Sequence, residues 1–147
     1  MLLVEAKAHT QELDSGGKRF DSNSHSGNHE SIGEAIRKAN ADLNDRLPGW
    51  NLDRDHHYQV ANRFALAWKL ASLGVPVVLV FLGVVGADEM KNGTRESFST
   101  HGEWEVAMSA HTAKVVPEKA WGTEISAGAA TMVPLIRSVR PQFLVAA

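Results

Sequence analysis

Glu5 and Lys7 stand two residues apart in Leu2-Leu3-Val4-Glu5-Ala6-Lys7-Ala8-His9. On an extended strand residues at that spacing project from one face, roughly 7 Å apart along the chain, so a carboxylate and an ammonium can converge on one small ligand. The chemistry they suit is hydrolysis of a phosphodiester. The carboxylate would hold a hard divalent cation, Mg2+ or Mn2+, and the ammonium would orient or activate water and offset developing charge. Alone the pair is a weak signal, because an exposed strand edge with one acid and one base is common and contributes well under about 1 kcal/mol. His9 shares the face and is a candidate for contact with a scissile phosphate, and Glu12 follows as possible support. Further along, Gln59 and Asn62 lie one helical turn apart and either face the site or hydrogen-bond the ends of a sheet. Arg63 beside them either meets phosphate or is solvated or ion-paired.

Other polar residues carry less. His25 and His29 have the i, i+4 spacing of helical metal ligands, but the Gly and Ser around them argue against a rigid helix. His56 and His57 are adjacent, would diverge by about 100° on a helix, and read as an exposed helix start. Trp68 and Trp104 sit among apolar neighbours and read as core before they read as stacking platforms.

The elements that must position these residues follow from periodicity. Leu2 to His9 alternates as a half-buried strand. Residues 14–30 are polar and rich in turn formers, which predicts a mobile loop. Ser31 with Glu34 forms a capping box ahead of Ile32, Ala35, Ile36, Ala39, Leu43 and Leu47, a helix stopped by Pro48-Gly49. Asp53 or Asp55 is expected to cap a second helix, with Tyr58, Ala61, Phe64, Ala65, Trp68 and Ala71 on its apolar surface and Gly74 after its end. Val77 to Val85 is β-branched without alternation, as expected of a central strand covered on both faces. Thr100 with Glu103 caps a third helix bearing Trp104 and Met108. Met132-Val133-Pro134-Leu135-Ile136 is expected as a short strand confined by Pro134 to a sheet edge. This order predicts an α/β fold with a mixed or partly parallel sheet.

Composition narrows the function classes. A chain of 147 residues fits one domain over 1–147. Its net charge of −2 and pI near 6.4 provide no global pull toward phosphate, so any nucleic-acid contact must be local. The absence of cysteine removes disulfides, thiolate chemistry and Cys-based zinc sites, and makes the cytoplasm the simplest expected compartment. The longest apolar run, 74–87, contains Pro76 and several glycines and is too short to span a bilayer, so no membrane partner is expected.

Taken together, the strand Leu2-Leu3-Val4-Glu5-Ala6-Lys7-Ala8-His9, the segment Tyr58-Gln59-Val60-Ala61-Asn62-Arg63 and the apolar strand after it resemble the PD-(D/E)XK, or restriction-endonuclease-like, nuclease superfamily. The nearest likeness is to bacterial members with an apolar-Glu-Ala-Lys-Ala-His strand and a Tyr-Gln-x-Ala-Asn-Arg helix. It runs from residue 2 to about residue 110, and the two motifs together are far more specific than either alone. The resemblance implies a mixed sheet flanked by helices and Mg2+-dependent cleavage of nucleic acid, DNA before RNA. It further implies Glu5 and the Ala6 carbonyl as metal ligands and Lys7 as the catalytic lysine. The chain departs from the superfamily in lacking its first helix, its first strands and the aspartate they carry, so an N-terminally truncated or degenerate domain is expected. Glu12 and Asp14 lie beyond the strand and are not assigned to that missing role. The alternative reading is an inactive binding or interaction module of the same fold. An unpaired first strand would expose backbone donors and acceptors, so a homodimer along it is expected.

Overall fold

The computed structural model describes residues 1–18, 26–87 and 95–141, without the side chains of 26–28. The elements run β1 (Leu2–Lys7), α1 (Ser26–Arg46), α2 (Tyr58–Ser72), β2 (Val77–Val84), α3 (His101–Thr112), β3 (Ile125–Ala127) and β4 (Ala130–Val139), with 3-10 turns at Thr10–Glu12 and Glu118–Ala120. They form an α/β fold with a mixed four-stranded sheet in the order β1-β2-β4-β3. β1 and β4 both run parallel to β2, and β3 pairs antiparallel with β4. The expected order holds with one addition. β3 is three residues long, too short for alternation to register, and is turned into β4 at Gly128, whose φ is +66°.

Among the described residues, the apolar run of β2 does not lie between two helical layers. Val77, Leu79, Phe81 and Gly83 are buried against helices, whereas on the other face Val78 is 37 % exposed, Leu82 and Val84 are half-buried and Val80 is buried among its strand neighbours. Among the described residues, helices cover one face only. On that face Phe64 of α2 meets Phe81, Trp50 and Trp121 with ring centroids 5.7, 4.9 and 5.9 Å away. Ala61, Ala67 and Ala71, all fully buried, present little side chain on the same helix and so let its axis approach the strands. Pro134 is buried in β4 opposite Leu79. Its carbonyl accepts from Gly122 on the side away from β2, and its nitrogen faces the same way, so the missing N–H costs no bond to β2.

Two helix starts differ from expectation. α1 begins at Ser26, so Ser31 lies inside it and is not its cap; Ile36, Ala39 and Leu43 form its buried stripe. Neither Asp53 nor Asp55 caps α2. Asp53 accepts from the Asp55 amide and pairs with His56, while the amides of His57 and Tyr58 donate to the carbonyls of Ser15 and Gly16. Of the expected mobile loop, residues 14–18 are pinned to the start of α2, where Lys18 also donates its backbone N–H to the Arg54 carbonyl, and residues 26–30 are the opening turns of α1. A Cβ on Gly17 would lie 2.4 Å from the Asp55 carbonyl oxygen, so only glycine permits this approach. Residues 19–25 of that loop, His25 among them, lie outside the described residues. At α3 the Thr100 hydroxyl accepts from the Glu103 amide as predicted, and the Glu103 carboxylate takes the Ser99 amide.

α3 closes the covered face through Trp104, which is fully buried, packs against Phe98 at 5.0 Å and donates its indole N–H to the Phe81 carbonyl. A Cβ on Gly83 would fall 2.4 Å from Cγ of this ring. Gly83→Ala should therefore destabilise the domain by about 1–3 kcal/mol through overpacking, read as a shift in urea midpoint at unchanged slope. An unchanged midpoint would show that Trp104 does not rest on this strand.

Candidate functional site

Alternation along β1 turns Leu3, Glu5 and Lys7 toward the covered face and leaves Leu2, Val4 and Ala6 on the other. Because β1 is the edge strand, its inward polar residues lie beside the first turns of α2. There the Lys7 ammonium donates to Gln59 Oε1 at 2.5 Å and pairs with Glu5 Oε1 at 2.9 Å. Arg63 Nε donates to the second oxygen of the same carboxylate, Oε2, at 2.6 Å. Gln59 and Arg63 are i and i+4 on α2 and so share one stripe. The side chains of Glu5 and Lys7 retain only 14 and 12 % exposure, and that of Arg63 38 %. Burial alone would push the Glu5 carboxyl up, but the hydrogen bonds from Arg63 and Lys7, with the two positive charges, hold it below the ordinary carboxylate range.

A cleft of about 430 Å3 opens beside Lys7 and Gln59, lined also by Gln11, Glu12, Asp14 and Ser15. Glu12 reaches this rim, yet one oxygen of its carboxylate accepts from the Ala8 and His9 amides at 2.6 and 3.2 Å and so closes the end of β1. His9 makes a backbone bridge to Ser97, and its ring lies 3.8 Å from Glu12. These two candidates shape the strand end and do not join Glu5. Asn62 makes no hydrogen bond to Glu5, Lys7 or Gln59 among the described residues; on this helix Arg63 is the partner that reaches the strand. Asp14 accepts from the Gly16 amide and holds the segment that caps α2.

Two histidines were not legible as a pair. His57, expected at an exposed helix start, is the only described non-glycine residue with positive φ, at 49°. Its ring meets the edge of His111 on α3 with centroids 4.7 Å apart. Burial first, then the charge of His56 on His57 and those of His57 and Lys7 on His111, hold both imidazoles below their usual range; Asp14 pulls the other way. Their separation in sequence carries no spacing signal, since only the docking of α3 brings them together. His29 lies on α1 rather than in a loop. Among the described residues no group of three or more His, Asp or Glu side chains is arranged to hold a metal ion, and no helix is long and apolar enough to cross a membrane.

Comparison of the chain with protein-family models, curated proteins and solved structures returned no match.

The shifted groups give stability a definite pH dependence. Glu5 binds its proton less readily folded than unfolded, so its contribution is complete above its ordinary value of 4.5 and is lost as the pH falls through its lowered folded value. The two histidines act in the same direction at higher pH. Below their ordinary 6.5 the unfolded chain takes up protons that the buried rings resist, and stability declines. Urea denaturation from neutral to acid pH should show a shallower decline below pH 6.5 for His111→Gln and below pH 4.5 for Glu5→Gln. Profiles parallel to the parent's would mean that neither group is perturbed.

Proposed function

We propose that the chain is a nuclease-type domain of the PD-(D/E)XK kind, acting on nucleic acid, DNA before RNA, with phosphodiester hydrolysis as the reaction its polar cluster suits. The observation that carries the reading is the convergence of two sequence-distant motifs: Lys7 on β1 is bonded both to Glu5 beside it and to Gln59 on α2. Two partners direct an ammonium that has three donors, which leaves one for a water or a phosphate oxygen at the adjoining cleft. Lys7 is the one cation that lines the cleft, beside Glu12 and Asp14, in a chain whose net charge is −2.

Mg2+ or Mn2+ is the cofactor that the resemblance implies, and the residues present meet its needs incompletely. Mg2+ is usually held by one or two carboxylates, with water and substrate oxygens completing the octahedron. Here Glu5 is one carboxylate beside the Ala6 carbonyl, and both its oxygens are engaged, by Lys7 and by Arg63. Among the described residues no second carboxylate is bonded into this cluster, and Glu12 and Asp14 each give one oxygen to backbone amides. What the chain's own residues supply is a directed ammonium, a carboxylate kept deprotonated, and Gln59 to orient Lys7.

Arg63 favours a second reading, an inactive nuclease-fold module that binds nucleic acid without turnover. Its guanidinium neutralises the carboxylate that a metal would require. The two readings separate on one assay. The pure chain is incubated with single- and double-stranded DNA and Mg2+ or Mn2+, and binding is followed in parallel by fluorescence anisotropy. Hydrolysis by the parent that falls about 100-fold or more in both Glu5→Ala and Lys7→Ala supports the enzyme. Binding that Lys7→Ala weakens, with no cleavage by any form, supports the module. Neither binding nor cleavage would sink both.

A further inference from the structure

Two cations share one carboxylate at the β1 edge. Lys7 Nζ holds Glu5 Oε1 at 2.9 Å and Arg63 Nε holds Oε2 at 2.6 Å, so the cluster carries one positive charge in excess. Neutrality requires only one of the two cations. Lys7 is the better placed for that duty, because its side chain is mostly buried and Gln59 fixes it from α2. Arg63 is the surplus charge. Its side chain is 38 % exposed, and among the described residues its guanidinium is bonded through Nε alone. A guanidinium carries five N–H donors in a planar fork, so both Nη groups are left for a further acceptor. Partial burial of the cluster keeps salt from screening this excess as it would at an open surface.

We infer that Arg63 is the phosphate contact of this site and that it takes a nucleic-acid phosphate before any divalent cation enters. The inference rests on the nucleic-acid reading given above and adds the order of binding. An anion is what the surplus charge and the open Nη edge accept, and phosphate oxygens match that edge two at a time. A divalent cation meets the opposite conditions. It would raise the excess from one charge to three, and it would find both oxygens of Glu5 taken. Once the guanidinium turns to a phosphate, Lys7 alone balances Glu5, and Oε2 is released. Arg63 and a metal ion thus compete for one oxygen, and phosphate decides between them. Arg63 is not among the residues that line the cleft beside Lys7, so an anion meeting its Nη edge need not pass the Glu12 and Asp14 carboxylates there.

The test combines two measurements on the full chain: fluorescence anisotropy of a short labelled oligothymidylate in EDTA, and Mn2+ binding followed by electron paramagnetic resonance. The parent should bind the oligothymidylate in EDTA, and Arg63→Gln should bind it about 10-fold more weakly while keeping the parent's circular dichroism. Mn2+ should bind Arg63→Gln about 10-fold more tightly than the parent, a gain that Glu5→Gln/Arg63→Gln should lose. If Arg63→Gln unfolds, Arg63→Lys decides, since it keeps the charge without the fork and should weaken oligothymidylate binding in EDTA several-fold. Binding by the parent in Mn2+ but not in EDTA, equal affinity in EDTA for the parent and the Arg63 variant, or Mn2+ affinity unmoved by Arg63→Gln would each overturn the inference. Any of these alongside cleavage by the parent would leave the nuclease reading standing. Arg63-dependent binding in EDTA without cleavage would uphold the inference and remove hydrolysis, and a parent that binds in neither medium would remove both.

Discussion

Everything at the candidate site depends on where α2 lies on the sheet, and that is set by the packing of Phe64 and the small residues around it on β2. Phe64 fills the space between Phe81, Trp50 and Trp121, while Ala61, Ala67 and Ala71 let the helix axis approach the strands. With that contact made, the first two turns of α2 have one position relative to β1. Gln59 then arrives at Lys7 and Arg63 at Glu5. The polar cluster is thus a consequence of an apolar one, and its geometry is as well determined as the core beneath it.

Around this contact, the loops are held by backbone hydrogen bonds and by side chains that bond loop amides. The segment 14–18 gives its carbonyls to the start of α2, where a helix has orphan amides to satisfy. Asn40 and Asn44 on α1 do similar service for residues 49–52: Asn44 accepts from the Gly49 and Trp50 amides and donates to the Trp50 carbonyl, and Asn40 accepts from the Leu52 amide. Trp68 ties α2 to α1 through its indole N–H and Asp42. The cleft beside Lys7 is therefore bounded by a strand end, a pinned loop and a helix terminus, each satisfied in its own hydrogen bonds.

The same arrangement separates two kinds of surface. The covered side of the sheet ends at its β1 edge in paired charges, the Glu5 carboxylate held by both Lys7 and Arg63. The other side is aliphatic across three strands apart from Arg137. Strand alternation makes this division unavoidable, because a residue that contributes to one face is lost to the other. A polar site at the edge and an apolar face behind it are two outcomes of a single register.

How much of this the sequence determined by itself varies with the range of the interaction. Local patterns were sufficient for β1, for α2 and its end before Gly74, for the Thr100 cap of α3 and for an α/β order of elements, since periodicity and caps act over a few residues. They were sufficient also to place Glu5 and Lys7 on one face. What depended on chain segments far apart was not legible. The unalternating run 77–85 looked the same whether one or both faces were covered, and among the described residues helices cover one. Asp53 and Asp55 had the right chemistry to cap α2, but the carbonyls of Ser15 and Gly16 reached its amides instead. Arg63 rather than Asn62 completes the cluster because only the docked helix decides which stripe meets β1. His57 and His111 became neighbours for the same reason. Side-chain type and spacing specify what a residue is able to do, and tertiary packing alone selects its partner.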